Sequence, residues 1–319
     1  MRLNKIADGA SVVITLGFLF FLFSTVQWPE MGRVLKGMDA FYFVLAVLVA
    51  LFSSAWIGAG RFRMIIKVLG GEISFAEAFR VKLGSQPLNL LPSGQADLLS
   101  QVVYLKRNSR FSYISGLYYV VLALVSKVLA LLIPVAVMLL FFWPPGYLPA
   151  LERFKPVLWA CCAAGMVPVL IWVLIRLKSF RRAVLSWIPV ADTGWASEVR
   201  KAVDVYGGIS SGPMAGLLLY SMAFQYSQFL VFYWLARSLG LGISLFAVVM
   251  FLPLVVILSN IPVTVGGFGL RESLIVLFFA SYGGKEAALA LGVLFSFAEY
   301  IVPAFFGLFF LRPYLKKLF

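Results

Sequence analysis

Apolar stretches about one bilayer long recur along this chain, at residues 10–27, 40–59, 112–142, 157–175, 213–237 and 287–310. Crossing the hydrocarbon core takes about 20 apolar residues in a helix, and only helices or closed barrels satisfy every backbone group there. The expected fold is therefore all-α and polytopic. Composition agrees: 62% of residues are hydrophobic and 13% charged, against roughly 45–50% and 25% in soluble domains. No stretch is long and polar enough to make a soluble domain, so residues 1–319 are read as a single integral membrane domain.

Two further apolar stretches are interrupted. Residues 83–105 are broken by NLLPSGQAD (89–97), and residues 244–282 by NIPVTVGGFGLRE (260–272). Pro92 and Pro262 remove backbone donors and block helix continuation, while the glycines permit positive φ and close packing. The second arm, residues 270–282, is about half a membrane thick at about 1.5 Å per residue. Both stretches are read as re-entrant helical hairpins beside about six full spans, although two kinked full spans would also fit residues 244–282.

Charge sets the orientation. With the N-terminus inside, nineteen Lys and Arg residues fall on inner segments and six on outer ones, leaving Lys127 and Arg271 within the membrane. That is a strong positive-inside bias, so both termini are expected in the cytoplasm. The basic N-terminal stretch resembles a signal peptide without a convincing cleavage site, and an uncleaved first helix is the better reading. The net charge of +14 is mostly a topology signal. Arg61, Arg63, Lys67, Arg181 and Arg182 are candidates for holding anionic headgroups at the inner leaflet, and residues 176–212, with Trp187 and Trp195, for an amphipathic interfacial element. No basic stretch is attached to a soluble fold, so nucleic acid is not an expected partner.

The chain has no histidine, which removes imidazole acid–base chemistry and histidine metal sites. Cys161 and Cys162 are adjacent in an apolar run and read as inert buried thiols. No cofactor or metal is expected.

The two interruptions share a grammar: Asn89, Pro92, Gly94 and Asp97 in one, Asn260, Pro262, Gly266, Gly267, Gly269, Arg271 and Glu272 in the other. Each precedes a span with an ionisable residue near its centre, Lys127 and Glu299 respectively. In this topology one hairpin enters from each side, the pattern of inverted-topology repeats whose broken helices meet at a substrate site. The approximate halves are residues 1–175 and 176–319. Half-helix N-termini suit phosphate or carboxylate, and Arg grips phosphate with two parallel hydrogen bonds. Neighbours on a helix diverge by roughly 100°, so Arg271 and Glu272 are expected to find different partners. Lys127 and Glu299 have opposite sign and invite a cross-repeat ion pair; pairing with Arg271 or Asp97, or snorkelling of Lys127, are the alternatives.

NIPVTVGGFGLRE between two long apolar spans resembles the signature of the lysylphosphatidylglycerol synthase transmembrane family, which includes the flippase domain of bacterial multiple-peptide-resistance proteins and stand-alone inner-membrane proteins. NLLPSGQAD resembles the family's less specific first motif, and the layout covers essentially the whole chain. The resemblance implies a multi-pass protein of a bacterial inner membrane that handles lipids. Two departures stand out: Ser100 lies where the family usually has Arg, and Ser126 and Lys127 where it commonly has an acidic–basic pair. The soluble aminoacyl-transferase domain of fused members has no counterpart here, so lipid aminoacylation is not expected.

The leading expectation is a flippase or scramblase moving a polar-headed phospholipid through a groove lined by the residues just named. Without GxxxxGK[ST], its energy would come from an ion gradient, the lipid gradient or a partner, with Asp97, Glu272 and Glu299 as proton or counter-ion carriers. The alternative is a non-catalytic subunit presenting a lipid carrier to a separate glycosyltransferase or lipid-modifying enzyme. An intramembrane enzyme ranks third, because no nucleophile–base constellation is visible.

Overall fold

The computed structural model describes residues 27–91, 96–108, 113–141, 177–187, 211–260 and 267–318, with Thr264 and isolated positions between 156 and 174. Among these there is helix and no strand. The chain forms two compact units. One comprises residues 1–59, 76–101 and 223–319, the other residues 60–75 and 102–222. Each therefore draws on both sequence halves.

In the first unit, α1 (Trp28–Lys36) is amphipathic, and its buried Met31 packs with Leu289 and Ala290. Asp39 caps α2 (Ala40–Phe52) by accepting from the Phe41 N–H at 2.8 Å. A π turn at Ser53–Ile57 then leads into α3 (Gly58–Val68). The whole run, Ala40–Val68, is long and apolar enough to cross a membrane. It thus extends nine residues beyond the stretch hydropathy marked (40–59) and takes in Arg61, Arg63 and Lys67. A second π turn, Phe297–Ile301, joins α11 (Gly284–Ser296) to α12 (Val302–Leu318), the other long span of this unit. Phe43 of α2 stacks on Phe297 at this turn.

Both interrupted stretches fall in this unit except residues 102–105, which belong to the other. The first is α4 (Phe75–Ser85), a 3₁₀ turn at Gln86–Leu90 and then α5 (Ala96–Asn108). The 3₁₀ turn packs on α12. Contact there is close enough that a Cβ on Gly307 would sit 2.8 Å from Pro87 Cδ, and one on Gly84 would sit 2.6 Å from Tyr314 Cβ. The second is α9 (Leu245–Ser259) and α10 (Leu270–Phe279), preceded by α8 (Ser211–Ser238). Every residue from Ala247 to Val256 is buried, as expected of a helix apolar on all sides. α9 and α10 pack antiparallel, with Phe251 stacked on Phe278 and edge-on to Phe279. At 15 and 10 residues they are about 22 and 15 Å long, short of the roughly 30 Å hydrocarbon core. The two helices Leu245–Ser259 and Leu270–Phe279 thus form a short antiparallel pair.

The second unit holds α6 (Tyr113–Phe141), whose Tyr118–Phe141 portion qualifies as a span. It also holds α7 (Lys178–Trp187), which ends in an exposed Trp187. Four helices, Ala40–Val68, Tyr118–Phe141, Gly212–Ser238 and Gly284–Leu318, can cross a membrane among the described residues. Each matches an expected span. The expected span at 10–27 lies outside the described residues but for residue 27, most of 157–175 does too, and so does Trp195.

Candidate functional site

The second interruption buries two opposite charges. Gly267 and Gly269 hold φ at 77° and 81°, a region costly for residues with a Cβ, and this turns the chain sharply into α10. Arg271 and Glu272, in the first turn of that helix, are only 2% and 3% exposed. Glu272 reaches back to accept from the Gly269 N–H at 2.6 Å. The carboxylate that this helix N-terminus attracts is its own. On its other oxygen Glu272 accepts a short hydrogen bond from the Ser296 hydroxyl. Arg271 Nη1 donates to the same hydroxyl oxygen at 3.1 Å.

Arg271 and Glu272 are thereby joined through one serine of α11. The expectation of different partners is corrected in this respect: the two side chains do diverge, and Ser296 bridges them as acceptor and donor. Close helix approach makes the bridge possible, since a Cβ on Gly292 would lie 3.3 Å from Glu272 Cα. The Arg271 guanidinium carbon sits 3.9 Å from the centre of the Tyr300 ring and 5.8 Å from that of Phe268, a cation–π arrangement.

Glu299 and Tyr300 both belong to the π turn, an element frequent at functional sites. Glu299 is buried and accepts from Gln228 Nε2 at 2.9 Å, while Gln225 Nε2 donates to Gln228 Oε1 at 3.1 Å. Tyr300 is half-buried. Its hydroxyl is within electrostatic reach of Arg271, Glu299, Glu272 and, from the first interruption, Asp97. Tyr300 thus lies within Coulombic range of an acidic residue of each interruption, and its ring is in contact with Arg271.

At the first interruption Asp97 opens α5, and its carboxylate lies 3.5 Å from Lys82 Nζ of α4. Gln101 donates to Ser85 and Gln86 to Ser54 of the first π turn, both at 2.8 Å. Ser100 donates to the Asp97 carbonyl at 2.7 Å and accepts from Tyr314 at 2.8 Å. The cation facing Asp97 is therefore Lys82, where the resemblance led one to look for Arg at position 100. Asn89 is half-buried in the 3₁₀ turn, and Asn260 ends α9, donating from its side chain to the Val256 carbonyl. Pro92, Gly94, Pro262 and Gly266 lie outside the described residues.

Lys127 is half-buried on α6, in the other unit. Its neighbour Ser126 accepts from Arg61 Nη2 at 3.1 Å, and Arg61 Nε donates to Ser221 at 2.9 Å. Arg61, a candidate from sequence for an inner-leaflet headgroup, is part of a polar cluster with Ser126 and Ser221. Ser296, Tyr300, Lys82 and the pair Gln225–Gln228 were not singled out in the sequence. The two glutamines, three residues apart on an apolar helix, were the one legible signal among them.

The family described as Lysylphosphatidylglycerol synthase TM region matches residues 10–307 of the 319. The chain belongs to that family, as its resemblance implied. No curated protein matches the sequence.

Proposed function

We propose that this member of the Lysylphosphatidylglycerol synthase TM region family moves a phosphate-bearing, polar-headed lipid across a bacterial inner membrane as a flippase or scramblase, without catalysing a reaction. The observation that carries this reading is the almost fully buried Arg271 of the second interruption, stacked against the half-buried Tyr300 ring, with acidic residues of both interruptions within Coulombic range. A headgroup leaving water loses its hydration, and burying a charge is costly unless other polar groups replace the water. Arg271 and the half-buried Tyr300 supply donors of that kind within one unit. In this proposal the short hairpins are re-entrant and form inverted repeats, both termini are cytoplasmic, and the groove runs between the hairpins. Asp97 and Glu299 carry counter-charge, while Glu272 holds the hairpin to α11.

The test is translocation in proteoliposomes carrying fluorescent anionic, zwitterionic, cationic and polyprenyl-linked lipids, with and without a proton gradient. Arg271→Ala and Glu272→Gln run beside the parent protein. We expect one lipid class to move and both substitutions to abolish its movement. Folded, inserted protein that moves no lipid would refute the reading and favour a subunit that presents lipid to a separate enzyme.

A further inference from the structure

The charged groups at the two interruptions differ in how tightly they are closed. Arg271 and Glu272 are almost fully buried and tied through Ser296. Lys82 and Asp97 keep 18% and 14% of their side chains exposed, and their one contact is 3.5 Å long. Charge-assisted hydrogen bonds usually measure about 2.7–2.9 Å, and an ammonium group has three N–H donors to satisfy. Among the described residues neither side chain has a further hydrogen-bonding partner. The Lys82 stem is nonetheless held in place, because it runs across Gly58, where a Cβ would come within 3.3 Å of its Cε. A positioned ammonium with spare donors faces a weakly bound carboxylate.

We propose that Lys82 is the anion-binding residue of the transport site and that Asp97 is its displaceable internal ligand: a phosphodiester headgroup takes the place of the Asp97 carboxylate at Lys82. This deepens the proposed function and rests on it. It also reverses the role that sequence suggests for Asp97, because an internal carboxylate competes with the headgroup. Substitutions at the two positions must then act with opposite sign. Lys82→Gln removes the cation and weakens binding, while Asp97→Asn removes the competitor and tightens it. A pair that merely stabilises the fold would give no such opposition.

The experiment is equilibrium binding of radiolabelled short-chain phosphatidylglycerol to the purified full chain in neutral detergent, with each variant checked by gel filtration and thermal unfolding. We expect affinity about tenfold weaker for Lys82→Gln and about tenfold tighter for Asp97→Asn, the change that one charged hydrogen bond produces. Lys82→Arg should stay within about threefold of the parent. Equal affinities, or shifts of the same sign, would overturn the proposal. Should Lys82→Gln fail to fold, Asp97→Asn decides alone, and no tightening overturns it. Unlabelled short-chain diacylglycerol, which lacks phosphate, should fail to compete. Full displacement by inorganic phosphate at matched concentration would overturn the lipid headgroup as ligand in favour of a free anion. Because binding is read without a bilayer, the two readings fail separately. Failed translocation with opposed affinity shifts removes transport and leaves the site; intact translocation with flat affinities does the reverse.

Discussion

Replacing Ser296 with Ala removes one hydroxyl and takes a partner from two buried charges. Arg271 Nη1 loses its acceptor at 3.1 Å, and Glu272 loses the donor to one carboxylate oxygen while keeping the Gly269 N–H at 2.6 Å. A hydrogen bond to an ionised group contributes about 1.5–3 kcal/mol, so two at the lower figure give about 3 kcal/mol. The average for hydrogen bonds between membrane helices is about 0.6 kcal/mol, which would give little more than about 1 kcal/mol for the pair. The larger value is expected here because residues 271, 272 and 296 are each at most 3% exposed. Neither charge regains water when the hydroxyl is lost. Reversible unfolding in mixed detergent micelles measures the difference directly, and hydrogen exchange at residues 269–273 should rise most. Combining Ser296→Ala with Glu272→Gln should cost at least about 1 kcal/mol less than the sum of the single losses, as expected of groups in one network. A loss below about 1 kcal/mol for Ser296→Ala, with additive behaviour in the double variant, would show that the bridge contributes nothing beyond ordinary packing.

Three further outcomes follow from the geometry. Gly307→Ala should destabilise by about 1–3 kcal/mol, seen as a lower melting temperature, because the new methyl would meet the Leu83 carbonyl and Pro87 ring, and backbone cannot move aside as a side chain can. Tyr300→Phe should preserve stability to within about 0.5 kcal/mol, whereas Tyr300→Leu should cost about 1–2 kcal/mol in the same micelle assay, because the Arg271 cation lies over the ring face. Lys317→Gln should change the melting temperature by less than 1 °C in about 0.15 M salt, since its ion pair with Glu77, though only 2.6 Å long, joins side chains 48% and 37% exposed, and exposed pairs contribute about 0–1 kcal/mol.

Much of the fold was legible because hydropathy reports which residues avoid water, and the four described spans each fall on a stretch it marked. It stopped at residue 59 because Arg61, Arg63 and Lys67 follow, and a count of charges cannot tell a solvated arginine from one bound to Ser126 and Ser221. The charged pair Arg271–Glu272 was legible for the opposite reason, since two adjacent ions between apolar runs must find partners. Their shared partner was not. Ser296 is a lone hydroxyl in an apolar helix, and its role arises from the α10–α11 approach at Gly292, a property of three-dimensional packing. Lys82 was hidden in the tally of inner charges, where it looked no different from Arg80. The π turns carry no composition signal at all, since each contains one more residue than an α turn of the same span.

The Ser296 bridge also has a meaning for how the chain is made. Ribosomes deliver residues in order, and the hydroxyl that joins Arg271 to Glu272 lies 24 positions downstream of the acid it serves. The α9–α10 hairpin therefore leaves the ribosome with its ions not yet linked by that serine, and only emergence of α11 completes the connection. Biogenesis gives α11 a second duty as a clasp: a chain truncated after α10 would offer the insertion machinery two charges without the group that joins them.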